Sequence, residues 1–575
     1  MNNHLYPVLI LAIGSLICTF IKGPKGKFLN ACFVLSSLFA FSQIPLGFSF
    51  SIDFNGLNIN LIKVDKIASL IIYVFHIVGL LGIIYNWTGK NKLENISSGL
   101  YLASAVGLVL AGDLFSLFIF WELLTIFATV LILSNNTFNS QKSALRYFLF
   151  HIFGGLIFLL GIVLHFLKFN SLELTALSLD SLSNWLIFIG VGVNCAFPLL
   201  HTWVTDSYPE STPTGAIYLS SLTTKTACLI LIRLFAGETV LIWIGSIMMI
   251  FPVFFAVIEN NLRRVLSFSL INQVGLIITA IGIGSELAIN GAVAHIVTDI
   301  FFKGLLFMSV GAVLYRTGKQ NATELGGLYR YMPITTFFCI IGALSISAFP
   351  LFSGFVSKSM IVSASASEHL TFLWFVLLFA SAAVLEHAGI KVPFFTFFGH
   401  NSDLKTKEAP KGMLIAMGIS AAICIGIGIF PQVLLNHLPY TLDYNPYTLN
   451  HIITQLQLLI FAGLAFFLML LAGIYPPEKR GINLDVDYFY RKFSLFIYRI
   501  CDLFFNTLND KTNKIFHLAF IPKLLSLIQN YPQSLTSHFV KEPENCKLHK
   551  TVHLGLLPSA IGVLFALIIF IVLSI

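Results

Sequence analysis

Apolar runs of about 20 residues follow one another along most of the chain, with short polar gaps between them. A run of that length crosses a bilayer as a helix. The pattern predicts about sixteen spans, near residues 5–21, 28–50, 66–87, 97–111, 113–133, 147–167, 182–208, 212–236, 239–258, 265–284, 287–315, 333–363, 370–398, 412–431, 452–474 and 551–574. With the N-terminus outside, every second gap is cytoplasmic. Those gaps hold Lys22/Lys25/Lys27, Lys90/Lys92, Lys142/Arg146, Arg263/Arg264, Arg316/Lys319/Arg330, Lys405/Lys407/Lys411 and Lys479/Arg480. The opposite gaps are poor in Lys and Arg, which is the asymmetry that sets membrane orientation. In the first run the basic residues follow the apolar stretch and no charged segment precedes it, so it is expected to be a retained span. Gly112-Asp113 leaves almost no gap between the fourth and fifth spans.

Two of the runs share an interruption. "CAFPLLHTWVTDSY" (195–208) and "SAFPLFSGFVSKSM" (347–360) align without gaps, with Ala196-Phe197-Pro198-Leu199 on Ala348-Phe349-Pro350-Leu351. Proline inside a helix removes a hydrogen bond and breaks the rod. The seventh span falls on the twelfth. An offset of five helices turns the second copy upside down, as in the inverted repeats of transporters whose helices break near the midplane. Such a break is tolerated only against protein or a water-filled cavity. The expected fold is therefore an all-α polytopic membrane protein of about 14–16 transmembrane helices. It has N-terminal helices (1–95), a first five-helix repeat (96–236, broken near Pro198), a second (237–400, broken near Pro350), C-terminal helices (401–475) and a final span (551–575).

Residues 476–550 depart from this pattern, with eleven Lys or Arg against seven Asp or Glu. Within them Phe489, Phe493, Phe496, Ile500, Phe504 and Leu508 recur at steps of three and four, one apolar helix face. An amphipathic element on the cytoplasmic side or along neighbouring subunits is expected.

Composition narrows the function. Of 575 residues, 57% are hydrophobic and 10% charged, against roughly 25% charged in soluble domains. The eight cysteines are scattered without C-x-x-C spacing, so neither a metal site nor a disulfide framework is expected. No Gly-rich phosphate-binding motif occurs, so no nucleotide cofactor is expected. The net charge of +8 concerns topology, and nucleic acid is not an expected partner.

Ionisable residues in hydrocarbon are costly and mark functional sites by default. The spans bury Glu122 in "FSLFIFWELLTIFATV", Lys225 in "LSSLTTKTACLILIR", and His295, Asp299 and Lys303 in "HIVTDIFFKGLLF". The last three stand four residues apart on one helix face. Lys358 follows the second break, and Glu386, His387 and Lys391 lie in "LEHAGIKVPFF". His201 and Asp206 lie beside the first break, where facing water would satisfy them; Lys391 is near enough to a membrane face to snorkel. Acids, lysines and histidines strung across several helices suit a proton relay, because burial disfavours charge and neighbouring charges couple the titrations.

"FWELLT", "PLLHTWVTDSYPESTPTGAIYLSSLTTKT", "HIVTDIFFKGLLF" and "ALSISAFPLFSGFVSK" together resemble the antiporter-like proton-translocating subunits. These are the membrane-arm subunits of NADH:quinone oxidoreductase (complex I) and the large subunits of Mrp-type multisubunit Na+/H+ antiporters. The resemblance covers roughly residues 95–400 and is nearest to the D-type large subunit of the Mrp antiporters. It implies a proton-conducting subunit of a monovalent cation/proton antiporter in the inner (cytoplasmic) cell membrane, working with other membrane subunits and exchanging protons for Na+ or K+. The alternatives are a complex I membrane-arm subunit without its own redox site, and a scaffold with an inactive first half-channel. The family's relay positions carry over to Glu122, Lys225, His295, Lys303 and Lys358, with Asp299 where some members have a second histidine. One position departs: where the family usually has a lysine in the first broken helix, this chain has Asn194. Glu122 is then expected to be protonated or served by another base, with Lys225 as the candidate.

Overall fold

The computed structural model describes residues 6–513 apart from 22, 55, 56, 400, 401, 477, 480 and 482. The expected span at 551–574 and the part of the basic segment after 513 lie outside the described residues. The described chain is built from α1 (Pro7–Cys18), α2 (Pro24–Ser42), β1 (Ser49–Phe54), β2 (Leu57–Lys63), α3 (Lys66–Tyr85), α4 (Lys92–Leu110), α5 (Leu114–Leu133), α6 (Phe138–Phe169), α7 (Leu182–Asn194), α8 (Thr202–Ser207), α9 (Pro213–Ser221), α10 (Thr223–Phe235), α11 (Val240–Ile258), α12 (Leu262–Ile283), α13 (Glu286–Thr317), α14 (Pro333–Ile346), α15 (Ser353–Ser367), α16 (Thr371–Val384), α17 (Lys411–Ile429), α18 (Gln432–Leu435), α19 (Leu449–Leu471) and α20 (Asp487–Asn513). Helix α16 continues as π-helical turns at Leu385–Lys391 and Phe394–Phe398. Among the described residues, eleven helices are long and apolar enough to cross a membrane, and α1, α7 and α14 are shorter apolar helices. The protein is a multi-pass, all-α membrane protein.

The second expected span is displaced. Its helix ends at Ser42, and the strands Ser49–Phe54 and Leu57–Lys63 pair antiparallel, with Ser51 opposite Asn60 and Ile52 opposite Ile59. Alternation in "SFSIDF" and "NINLIK" carries the signal for those strands. The strand pair also explains the missing gap at Gly112-Asp113. Gly112 N donates to Asn60 O at 3.0 Å, and Asn60 N donates to Asp113 Oδ2 at 2.6 Å. Asp113 also caps α5, accepting from Ser116 N at 2.7 Å. One carboxylate thus closes the turn and starts the helix.

Helix α13 and the α9–α10 pair are buried along their spans, and α12 nearly so. Every face of these helices meets protein, so the polar groups they carry, Lys225, Asn272, His295, Asp299 and Lys303 among them, are buried inside the bundle. Helices α6 and α19 keep wide apolar faces outward, with Phe153, Leu160, Ile460 and Phe461 exposed.

The two interrupted runs adopt the same backbone. Helices α7 and α14 end one turn before their prolines, so Pro198 and Pro350 stand in the breaks and not inside helices. Ala196 (φ 58°) and Leu199 (φ 69°) match Ala348 (φ 57°) and Leu351 (φ 73°). Phe197 N donates to Gly192 O and Phe349 N to Leu344 O, both at 3.0 Å. This six-to-one bond over a left-handed residue is the Schellman ending, here made with alanine where glycine is usual. Left-handed backbone costs a non-glycine residue roughly 1–2 kcal/mol. Ala196→Gly or Ala348→Gly is therefore expected to raise stability by up to about 1 kcal/mol after glycine's own entropy loss. Thermal unfolding of the detergent-purified protein measures this. A lowered midpoint for both variants would mean that the alanine methyls pack more favourably than the strain costs.

After Asp487 the chain forms a second unit. Its described part is helix α20, which carries Phe489, Phe493, Phe496, Ile500 and Phe504 along one face, as the spacing predicts.

Candidate proton-transfer axis

Helix α13 is the spine of the site. Four-residue spacing puts His295, Asp299 and Lys303 on one face, all buried. Asp299 Oδ2 meets Lys225 Nζ of α10 at 2.5 Å, with both side chains 0% exposed. Lys225 lies just past a local disruption: α9 stops at Ser221, Leu222 departs from helical geometry (φ −105°, ψ −67°), and α10 starts at Thr223. One turn along α13, Lys303 Nζ donates to Ser269 Oγ of α12 at 2.8 Å. In the other direction His295 Nδ1 and Thr298 Oγ1 each lie 2.9 Å from Ser357 Oγ of α15. The next residue, Lys358, donates to Ile346 O at 2.7 Å, an orphan carbonyl at the end of α14. The second break thus supplies both a place and an acceptor for Lys358. Lys358 also borders a cavity of about 430 Å³, together with Ser359, Ser363, Asn450, His451 and Gln455. Sequence reasoning missed Ser269 and Ser357, whose hydroxyls partner Lys303 and His295; serine is too common for spacing to single them out.

In the first half the expected pairing of Glu122 with Lys225 is not made, because Lys225 is held by Asp299. Glu122 Oε1 is buried without a hydrogen-bond partner, and so are both polar atoms of Asn194. Glycine at 155 makes room for the carboxyl: a Cβ there would stand 1.9 Å from Glu122 Oε1. Sequence reasoning also overlooked His151 on α6, which is fully buried and stacks on Tyr147 at 3.9 Å and against Trp203 at 4.5 Å.

The residues expected to face water or a membrane surface are tied down instead. Asp206 makes a two-point pair with Arg146, Nε–Oδ2 at 2.7 Å and Nη2–Oδ1 at 2.8 Å. His201 Nε2 lies 3.2 Å from Asp485. Lys391 does not snorkel. Its buried ammonium donates to the carbonyls of Ala256, Val257 and Glu259 at 3.1, 2.6 and 2.8 Å and meets Glu478 Oε1 at 2.9 Å. Those carbonyls close the C-terminal end of α11, where a cation is favoured. Asn483 Nδ2 donates to the Glu259 carboxylate at 3.0 Å. Glu478, Asn483 and Asp485 thus fasten the segment that follows α19 across the ends of α11 and α16 and onto the first break. Burial raises the Glu478 carboxyl above the usual glutamate range, with the Lys391 ammonium opposing the shift. His387 is buried with neither ring nitrogen hydrogen-bonded, and Glu386 is half-buried beside it. Arg263, expected in a cytoplasmic gap, is also buried. It donates to Pro209 O, Ser211 O, Ser211 Oγ and Thr212 O, holding the turn between α8 and α9.

Residues 111–384 match the family model described as NADH:quinone oxidoreductase/Mrp antiporter, transmembrane. The chain is 29% identical over 441 residues to the A-type subunit of the Na(+)/H(+) antiporter of Alkalihalophilus pseudofirmus, covering 68% of this chain and 53% of that one. It therefore spans about half the length of that relative. A structure of the Mrp complex from Dietzia superposes with TM-score 0.67 at 18% identity, covering 76% of this chain and 96% of its counterpart. The membrane-bound sulfane sulfur reductase, an archaeal respiratory membrane complex, superposes with TM-score 0.70 at 22% identity over 100% of both chains. The two superpositions establish the fold, and both structures are of multisubunit membrane complexes. Residues 111–384, which contain both breaks and the α10–α13–α15 charge row, carry the chain's similarity to the NADH:quinone oxidoreductase/Mrp antiporter transmembrane family.

Proposed function

We propose that the chain is a proton-conducting subunit of a multisubunit monovalent cation/proton antiporter, in the D-type role, with Glu122, Lys225, His295, Lys303 and Lys358 as its relay. One observation carries the reading. The Lys225–Asp299 pair, the Lys303–Ser269 bond and the His295–Ser357 bond beside Lys358 form one buried polar row between the two breaks. Such a row is costly in a membrane, and intramembrane ionisable residues of this kind mark ion pathways and proton relays. Asp299, Glu386, His387 and Lys391 support the row by setting its charge; His201 and Asp206 hold the first break, and Pro198 and Pro350 mark the two half-channels. The exchanged cation is Na+ or K+. Partner subunits and lipid cover the apolar faces of α6 and α19. Residues 96–236 and 237–400 act as the two inverted halves, and residues 476–550 lie on the cytoplasmic side.

Cation-dependent proton movement in everted vesicles, with the neighbouring gene products present, tests the reading. Wild type is expected to discharge a pH gradient on addition of Na+ or K+, and Glu122→Gln and Lys358→Ala to abolish this. If no cation acts but NADH-driven pumping depends on these residues, the complex I type of assembly takes its place. Respiratory membrane complexes of this fold give that second reading its support. If neither activity responds, the chain is a scaffold. The D-type role rests on the sequence motifs. Its check is rescue of a salt-sensitive strain lacking the D-type component of its antiporter, but not of one lacking the A-type component.

A further inference from the structure

The relay in the first half lacks the lysine that would face Glu122, and Lys225 is engaged elsewhere. Several polar atoms nearby are nevertheless buried and unpartnered: Glu122 Oε1, Thr125 Oγ1, both polar atoms of Asn194, and His151 Nε2. They sit on α5, α6 and α7; α5 and α7 each pack on α6, at its glycines. Gly155 meets Glu122, and Gly154 meets Val193, the neighbour of Asn194. His151 precedes Gly155 by one helical turn, and residues four apart share a face with about 5–6 Å between Cβ atoms. Buried polar groups that lack protein partners are commonly satisfied by internal water.

The ring of His151 is oriented. Nδ1 lies 2.9 Å from Tyr147 O. A carbonyl only accepts, so Nδ1 carries the hydrogen, and in the neutral ring Nε2 is then a bare acceptor. The imidazole is clamped between Tyr147 and Trp203. Tyr147 in turn reaches Thr223 Oγ1 at 3.4 Å, and Thr223 also bonds Tyr101. Thr223 opens the helix that carries Lys225. His151 thus lies one turn from the glycine that meets the Glu122 carboxyl and stacks on Tyr147, which reaches the start of the helix that carries Lys225; its acceptor nitrogen is unoccupied. The other ionisable groups facing it are Glu122, through the glycine turn, and Tyr147.

We propose that His151 replaces the missing lysine of the first broken helix as the base that passes protons between Glu122 and Lys225. This rests on the proton-conducting reading above. In the forward step the O–H bond of protonated Glu122 breaks, and an N–H bond forms at His151 Nε2 through intervening water. The Lys225 ammonium first breaks an N–H bond to pass a proton onward to the Lys303 amine of the relay, and the imidazolium then loses its proton as an N–H bond forms on the neutral Lys225 amine so left, past the Tyr147 and Thr223 hydroxyls. Charge is conserved at each transfer, and no other reactant is needed.

The test uses the full complex in everted vesicles at matched membrane levels of each variant. His151→Gln, which keeps a polar side chain but does not titrate, is expected to slow cation-dependent proton movement by about 100-fold, the usual scale for loss of a positioned acid–base group. Adding Asn194→Lys to it restores a base opposite Glu122 and is expected to recover transport, whereas Asn194→Lys added to Glu122→Gln is not. Wild-type rates in His151→Gln overturn the proposal. So does an inactive His151→Gln that Asn194→Lys fails to rescue, because the histidine then serves only packing. A wild-type complex that moves no protons removes the transport reading itself, a result distinct from either.

Discussion

Lys225→Met is expected to stop cation-dependent proton movement and to destabilise the folded chain by about 3–5 kcal/mol, the usual cost of leaving one member of a buried ion pair alone. The reason is Asp299. Its carboxylate lies 2.5 Å from the ammonium, and neither side chain reaches the surface. No other ion pair to Asp299 exists among the described residues. Asp299→Leu added to Lys225→Met removes the stranded charge as well. Because apolar replacement of a whole buried pair is often neutral or better, the double variant is expected to regain most of the lost stability in thermal unfolding. It should remain inert in the vesicle assay. The two readouts therefore separate: stability follows the pairing, and transport follows the titratable groups. Transport in the double variant would remove Lys225 and Asp299 from the relay.

Lys391→Met is expected to have the second largest effect, again about 3–5 kcal/mol where a buried charge is stranded. The ammonium satisfies three carbonyls and the Glu478 carboxylate at once. Methionine fills the space but donates nothing, so the C-terminal end of α11 and Glu478 both lose their partner. Glu478→Gln keeps a carbonyl oxygen facing the ammonium and should cost less. Limited proteolysis between Tyr475 and Asp487 distinguishes the two roles of the contact. Faster cleavage in Lys391→Met than in Glu478→Gln is expected if the lysine fastens this segment. Equal resistance in both variants and wild type would mean that Asn483 and Asp485 hold the segment by themselves.

Both predictions involve partners that no sequence spacing reveals. Asp299 and Lys225 are 74 positions apart, and Lys391 finds Glu478 across the connection that follows α19. Intramembrane charge is rare, so its presence is legible as soon as the spans are drawn, and Glu122, Lys225, His295, Asp299, Lys303, Lys358 and Lys391 all stand out that way. Their pairing is a property of helix packing. The expected pairing of Lys225 with Glu122 is not made for this reason: the helical run breaks at Leu222, between α9 and α10, and Lys225 pairs with Asp299 of α13. Arg263 shows the same limit. A basic residue beside a span end looks like a loop charge, yet packing turns it inward onto the carbonyls of the α8–α9 turn.

Local sequence was enough for the membrane class, the places of most long apolar helices, the paired breaks and the sharing of one helix face by His295, Asp299 and Lys303. Each of these depends on local quantities: run length against bilayer thickness, proline geometry and the 3.6-residue period. The repeated "AFPL" even forecast the common backbone of the two breaks, because the same four residues meet the same local constraints. Packing alone settled which buried charges neutralise one another and left Asn194 and Glu122 with unpartnered polar atoms. It also left His151 Nε2 buried without a partner and fastened Glu478, Asn483 and Asp485 to Lys391, Glu259 and His201. Those outcomes depend on distances between residues far apart in the chain. In a low-dielectric interior the interaction of two charges strengthens as they approach, so helix packing decides which of them pair.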